Sequence, residues 1–165
     1  MLDQTIFSVI NGLAGASSIL DWTGIIITTF GVPFLGLIVL LTKKQLVVLK
    51  GLTSFVIATA IELGIKAVWH VPRPDAANVL VTATNSSFPS GHSANAFALA
   101  MTLYLYNKKI GIPALIFATI IGISRIFVGV HWPIDVAVGI MLGISVAYGV
   151  DRLLGNSKKK TKTKK

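Results

Sequence analysis

The stretch Val47–Trp69 reads VVLKGLTSFVIATAIELGIKAVW. It is predominantly apolar, and it is long enough to cross the hydrocarbon core of a bilayer, which takes roughly 17–25 helical residues. Working outward from it, further apolar runs stand at about Trp22–Leu41, His92–Tyr106, Ile110–Val130 and Pro133–Val150. The run His92–Tyr106 is short. It must be extended at its ends or bound closely by its neighbours. Before these spans, Leu2, Ile6, Phe7, Ile10 and Leu13 fall at helical spacing, and Asn11, Gly12 and Gly15 interrupt the run. This opening segment reads as an amphipathic helix lying in the interface, with a sixth, partial span as the alternative. The expected fold is an all-α integral membrane protein: a bundle of about five transmembrane helices plus an N-terminal interfacial helix.

Composition supports the bilayer as solvent. The chain has 165 residues, of which 53% are hydrophobic and 13% charged. Its mean hydropathy is +0.77. A soluble domain of this size could not hide so much apolar surface in one core. The formal charge of +9 is concentrated at the end, where six of the last eight residues are lysine. Residues 156–165 are expected to be a disordered, lysine-rich cytoplasmic tail that stays solvated or adheres to anionic headgroups. No nucleic-acid partner is expected, because the rest of the chain is membrane-buried. There is no cysteine, which excludes disulfides and thiolate chemistry. Met1–Leu20 has no basic region before its apolar part and does not read as a cleaved signal peptide.

Basic residues orient the bundle. Lys43, Lys44 and Lys50 flank one turnaround, Lys108 and Lys109 mark another, and Arg152 leads into the lysine tail. These ends should face the cytoplasm, and the loop Val71–Phe88 and the corner at His131 should lie outside. Trp22, Trp69 and Trp132 fall at the outer ends of spans, Tyr106 and Tyr148 near the inner ends, as aromatic belts require. Gly139 and Gly143 form a G-x-x-x-G pair, read first as close packing within the bundle and second as a dimer contact. Asn85-Ser86-Ser87 is a short glycosylation pattern in the outer loop.

Ionisable residues in spans are expensive and usually functional. Here Lys66, Arg73, His92, Arg125, His131 and Asp135 all fall near the outer helix ends or in the outer loop. Taken singly, a Lys or Arg there snorkels to headgroups. Taken together, three fixed cations repel unless an anion lies between them, and a phosphate matches arginine's donor fork. Ser90-Gly91-His92 opens a span, where free amides and the positive end of the helix dipole suit an anion. Asp135 lies four residues after His131, on the same helical face, where a carboxylate can fix the tautomer of an imidazole and free its other nitrogen to attack. Glu62, four before Lys66, reads as an ion-pair partner that positions it, with a proton relay as the alternative. His70 reads as an interface residue.

These residues resemble the signature of the type 2 phosphatidic acid phosphatase superfamily, which also includes vanadium haloperoxidases. Its three parts are matched by Lys66 with Arg73-Pro74, by Pro89-Ser90-Gly91-His92, and by Ser124-Arg125 with His131 and Asp135. The signature covers Lys66 to Asp135, under half of the chain. The resemblance implies that Lys66, Arg73, Ser90, the Gly91 amide and Arg125 bind phosphate. It implies that His131 attacks phosphorus, that Asp135 orients it, and that His92 protonates the leaving oxygen. It implies catalysis without a metal or other cofactor. Residues 1–155 are then one membrane-embedded lipid phosphatase domain in the cell membrane, its active site extracytoplasmic and its C-terminus cytoplasmic.

The expected activity is hydrolysis of a lipid phosphate or diphosphate, first of all undecaprenyl diphosphate to undecaprenyl phosphate plus phosphate. The opening stretch Ile6-Phe7 to Asp21 also looks like that of bacitracin-resistance-type undecaprenyl diphosphate phosphatases. Phosphatidylglycerol phosphate and phosphatidate are the alternatives. A haloperoxidase-like enzyme is a rival reading, but known members are soluble and much larger. A non-enzymatic anion or lipid transporter would need the cations but not the His131–Asp135 pair. The sequence does not give the oligomeric state.

Overall fold

A computed structural model of the chain describes residues 2–155; the lysine-rich tail expected at 156–165 lies outside the described residues. The structure is all-helical there: α1 (Leu2–Asn11), α2 (Ser18–Leu41), α3 (Gln45–Val68), α4 (Gly91–Tyr106), α5 (Lys108–Phe127) and α6 (Pro133–Leu153). The helices α2, α3, α5 and α6 are each long and apolar enough to cross a membrane. Their outer faces present Ile26, Phe30, Phe34, Val56, Ile112, Ile116 and Met141 to the surroundings. Such a girdle of exposed large apolar side chains is unfavourable in water and natural in lipid.

The short run anticipated around His92–Tyr106 is α4, with 16 residues. It is enclosed by its neighbours and packs against α2, α3, α5 and α6. Its small residues make this possible, because Ala94, Ala96, Ala98 and Ala100 are fully buried. Lipid-facing helices form a ring, and α4 is the post within it.

Glycines bring α6 against that post. A Cβ at Gly139 would come within 2.6 Å of the Ser90 carbonyl oxygen, and one at Gly143 within 2.2 Å of the Ala94 carbonyl oxygen. The G-x-x-x-G pair therefore packs inside the bundle, as its first reading expected. On the other side, Gly24 and Gly31 of α2 receive Phe127 and Ile121 of α5 in the same way.

At the lysine end, Lys50 is buried and pairs with Asp151 at 2.6 Å while donating to the Gly155 carbonyl at 2.5 Å. It therefore ties α3 to α6 instead of standing free as an interfacial charge. At the opposite end, α1 lies on α5 and α6. Its buried Phe7 packs on Trp132 with ring centroids 5.1 Å apart. Asn11, also buried, donates to the carbonyls of Phe127 at 2.9 Å and Asn78 at 2.7 Å. The asparagine that interrupts the apolar run thus fastens α1 to the end of α5 and to the α3–α4 connection. Trp132, expected in the aromatic belt, is instead half-buried against α1, while Trp22 and Trp69 are exposed as a belt requires.

Gly143→Ala should lower the unfolding temperature in detergent by several degrees, because its methyl meets backbone that cannot swing away; overpacking of this kind costs about 1–3 kcal/mol. Gly149→Ala, where nothing lies within 4 Å, should be neutral or stabilising by helix propensity. Thermal unfolding of the two variants side by side checks the seam.

Candidate active site

One end of the bundle collects Lys66, Arg73, Ser90, Gly91, His92, Arg125, His131 and Asp135, the expected site residues. The last turn of α3 carries Lys66, and the irregular chain between α3 and α4 carries Arg73. The start of α4 carries Ser90, Gly91 and His92, the last turn of α5 carries Arg125, and the corner before α6 carries His131. Asp135 sits in the first turn of α6. Lys66, Ser90, Arg125, His131 and Asp135 are buried.

The two histidines and three cations form one group. Arg73 Nη1 lies 3.5 Å from His131 Nε2, and the same nitrogen donates to the Val130 carbonyl at 2.5 Å. The other histidine, His92, sits in the field of Arg125, His131, Lys66 and Arg73 together. Three further hydrogen bonds, all to Asn85 and Ser86, hold Arg73 in place. Its Nε donates to the Asn85 carbonyl at 3.0 Å, and its Nη2 to Asn85 Oδ1 at 2.6 Å and the Ser86 carbonyl at 3.4 Å. Burial lowers the Arg73 pKa from its ordinary value, while Asp135 and Glu62 raise it again.

His131 is aimed by its neighbour on α6. Its Nδ1 faces Asp135 Oδ2 at 3.4 Å, and that oxygen also accepts from the Trp132 amide at 2.9 Å. One carboxylate therefore caps α6 and orients the imidazole. Nε2 is left facing the cations. Burial pushes the His131 pKa down to about 4, against the pull of its hydrogen bond to Asp135, and the Arg125 and Arg73 cations push it further down. The imidazole is neutral at pH 7, the form in which a ring nitrogen has a lone pair to attack with.

The turn at the start of α4 is built by close packing. Ser90 is its N-cap, accepting from the Ser93 amide at 3.4 Å and from Ser93 Oγ at 3.0 Å. The Ser90 amide donates to the Asp135 carbonyl at 3.0 Å, which fixes the start of α4 to the start of α6. A Cβ on Gly91 would lie 2.8 Å from Glu62 Oε1. Glycine leaves that space to the Glu62 carboxylate, which any larger side chain would have to push aside. That carboxylate pairs with Lys66 at 2.6 Å, both partners buried, as the sequence reading expected of an ion pair.

Three contributors escaped the sequence reading. Thr28 of α2 accepts from Arg125 Nη1. Asn85, noted only as part of a glycosylation pattern, holds Arg73. Asp3 of α1 accepts from the Ile134 amide at 2.9 Å and so helps cap α6. Only Asp3 carried a sequence signal, an acidic residue in a helix that had to pack somewhere. His70 is exposed and outside the group, as expected. Among the described residues, no three His, Cys, Asp or Glu side chains are placed to hold a metal ion.

Comparisons with known proteins follow the same line. The sequence pattern of the PAP2 superfamily matches residues 47–159. Undecaprenyl-diphosphatase BcrC of Bacillus subtilis (strain 168) is 32% identical over 158 residues, which cover 89% of this chain and 81% of that protein. Among solved structures, LpxE of Aquifex aeolicus superposes with a TM-score of 0.82 at 29% identity, over 92% of this chain and 96% of the other. A PAP2-type phosphatidylglycerolphosphate phosphatase from Bacillus subtilis gives a TM-score of 0.76 at 26% identity, over 99% of this chain and 88% of its own.

The buried Lys66–Glu62 pair makes a stability prediction separable from activity. Lys66→Gln leaves the Glu62 carboxylate buried and unpaired, and should cost about 3–5 kcal/mol. Adding Glu62→Gln should restore most of the unfolding temperature without restoring turnover. A double variant as unstable as Lys66→Gln alone would show that the carboxylate is not what the lysine compensates.

Proposed function

The chain belongs to the PAP2 superfamily, and from that premise we propose that it is a multi-pass membrane lipid phosphatase acting on undecaprenyl diphosphate through a His131 phosphoenzyme. The observation that carries the reading is the approach of Arg73 to His131 Nε2 on one side while Asp135 holds Nδ1 on the other. A ring nitrogen with a fixed tautomer stands beside guanidinium donors shaped for phosphate.

The reaction follows from this placement. Lys66, Arg73, Arg125, Ser90 and the Gly91 amide take the oxygens of the terminal phosphate. His131 Nε2 attacks phosphorus, and the bond to the leaving oxygen breaks as His92 delivers a proton to it. Water then attacks the phosphohistidine, its proton returning to His92, and phosphate departs with His131 restored. Charge that develops on the phosphoryl oxygens meets fixed cations in a site shielded from water, where each interaction is stronger than in bulk. With a diphosphate the leaving group is itself a phosphate, which lowers the demand on His92.

The substrate rests on two supports. A relative whose similarity covers 89% of this chain is named as an undecaprenyl-diphosphatase. The connections between helices, the longest of them the segment from 69 to 90, also form no separate domain among the described residues for selecting a glycerolipid head. Phosphatidylglycerol phosphate is the second reading, because one structural neighbour is titled as a phosphatase for it. The site end carries the exposed Trp22 and Trp69 and the opposite end carries Lys43, Lys44, Lys108 and Lys109. By the positive-inside rule the site then faces the extracytoplasmic side and the C-terminus the cytoplasm.

In one detergent, purified protein should release phosphate from undecaprenyl diphosphate with a higher kcat/KM than from phosphatidylglycerol phosphate or phosphatidate. Excess EDTA should leave the rate nearly intact. His131→Ala should abolish both turnover and phosphoenzyme while the helices stay folded. A preference for either glycerolipid would overturn the substrate, whereas turnover in His131→Ala or EDTA loss restored by Mg²⁺ would overturn the mechanism.

Topology is tested independently, since the chain has no native cysteine. Ala77→Cys in the outer loop should react with an impermeant thiol reagent on intact cells. Lys108→Cys should react only after permeabilisation. The opposite pattern would place the site on the cytoplasmic face.

A further inference from the structure

A cavity of about 470 Å³ lies between α2, α3 and α4. Its walls are Val32 and Gly36 of α2, Leu52 and Phe55 of α3, and Leu99 of α4, and it is almost wholly apolar. It exists because α2 and α3, although consecutive, pack mainly on α5 and α4 and little on one another. His92 and Asn95 also line it. Chain order places these two toward the site end of α4, with Leu99 further along. Thus the groove begins at the site and runs down inside the membrane-spanning ring.

His92 belongs to this groove and His131 does not. In an in-line displacement, nucleophile and leaving group lie on opposite sides of phosphorus. If His131 attacks and His92 protonates the leaving oxygen, the leaving group departs toward the groove. For a polyprenyl diphosphate, that leaving group is the retained phosphate with its tail. Two further polar side chains line the groove beside His92: Thr29 of α2, and Asn95, which lies three residues further along α4 on the same face as His92. Thr59 Oγ1 of α3 donates to Asn95 Oδ1 at 3.1 Å. That bond turns the amide oxygen toward α3 and leaves the Nδ2 donors, which bond to no other described residue, for the groove. A polar amide in an apolar intramembrane groove is costly unless a ligand uses it.

We propose that Asn95 is a specificity-determining residue: held by Thr59, its amide donates to the retained phosphate of a polyprenyl diphosphate, whose first isoprene units occupy the groove between α2, α3 and α4. The inference rests on the histidine roles given under Proposed function. A monophosphate ester has a carbon skeleton at this position and no anionic oxygen for the amide to meet. Asn95 therefore favours diphosphates over monophosphates carrying the same tail.

Farnesyl diphosphate and farnesyl monophosphate isolate this term, because they differ only in the retained phosphate. The readout is the ratio of their kcat/KM values. Asn95→Leu should lower the ratio by about tenfold, the worth of a hydrogen bond to a charged group. Thr59→Val keeps the amide but releases its orientation, and should lower the ratio in the same direction by a smaller factor. It decides the matter if Asn95→Leu does not fold. Asn95→Asp, which sets a carboxylate against the retained phosphate, should lower the ratio furthest. A fall of less than about threefold in folded Asn95→Leu, or in its absence no fall in Thr59→Val, overturns the proposal. The two readings fail separately. Wild-type preference for a glycerolipid over undecaprenyl diphosphate defeats the substrate assignment, while the farnesyl pair still decides the role of Asn95.

Discussion

The close approach of α6 to α4 is the constraint from which the site follows. Gly139 lies against the Ser90 carbonyl with no room for a side chain, and the Ser90 amide donates to the Asp135 carbonyl at 3.0 Å. These contacts fix the first turn of one helix against the first turn of the other. The two halves of the proposed site are thereby set in one frame: Ser90, Gly91 and His92 at the start of α4, and His131 with Asp135 at the start of α6. Both are at helix N-termini, so both backbone dipoles present their positive ends to the same space. Wider separation along the seam would displace one histidine from the other, and the in-line arrangement depends on their relative position far more than on either alone.

Charge balance is the second requirement. Three cations gathered at one end of a membrane bundle, Lys66 and Arg125 of them buried, would oppose folding if nothing offset them. Two carboxylates do so from behind. Glu62 pairs with Lys66, and Asp135 faces His131 and acts on Arg73. Neither carboxylate lies where a phosphate oxygen has to go, since Glu62 sits beneath the Gly91 backbone and Asp135 is turned toward the start of α6. The cation group is therefore tolerable in the fold, and it still carries an excess of positive charge that an anionic head can neutralise. Burial of His131 contributes in the same direction by keeping its ring uncharged.

Much of this was legible in the sequence because it depends on short spacings. The ion pair of Glu62 with Lys66 and the contact of His131 with Asp135 are both one helical turn apart, and helical geometry fixes such pairs before any tertiary structure is known. The spans were legible because lipid selects for apolar length. What could not be read was whatever depends on partners distant in the chain. Thr28 meets Arg125 across 97 residues, and Asn11 meets the Phe127 carbonyl across 116. The enclosed position of α4 was only one of two alternatives that its short length allowed, for a different reason. A helix buried in protein and a helix facing lipid are both apolar, so hydropathy does not separate them. Only the run of alanines in α4 distinguishes the two, since small side chains allow neighbours to crowd in on every face.

The shortness of α4 has a consequence for where chemistry can occur. At about 1.5 Å per residue, its 16 residues span about 24 Å, against about 36 Å for the 24 residues of α2 and α3. At the lysine end, α4 passes to α5 through the single residue Asn107, so the two helices finish level there. The deficit must therefore appear at the other end, where α4 begins below the tops of α2 and α3. The space above it is filled by the segment carrying Arg73 and, on the side of α5 and α6, by α1. A recess walled by helices and roofed by cations lets a phosphate leave bulk water while its apolar tail stays within the bilayer. The lipid head then has only a short distance to move to reach His131, and no part of the tail has to cross a polar surface. A central helix of full length would raise Ser90-Gly91-His92 to the membrane surface, where water would screen each cation and weaken the stabilisation the site depends on.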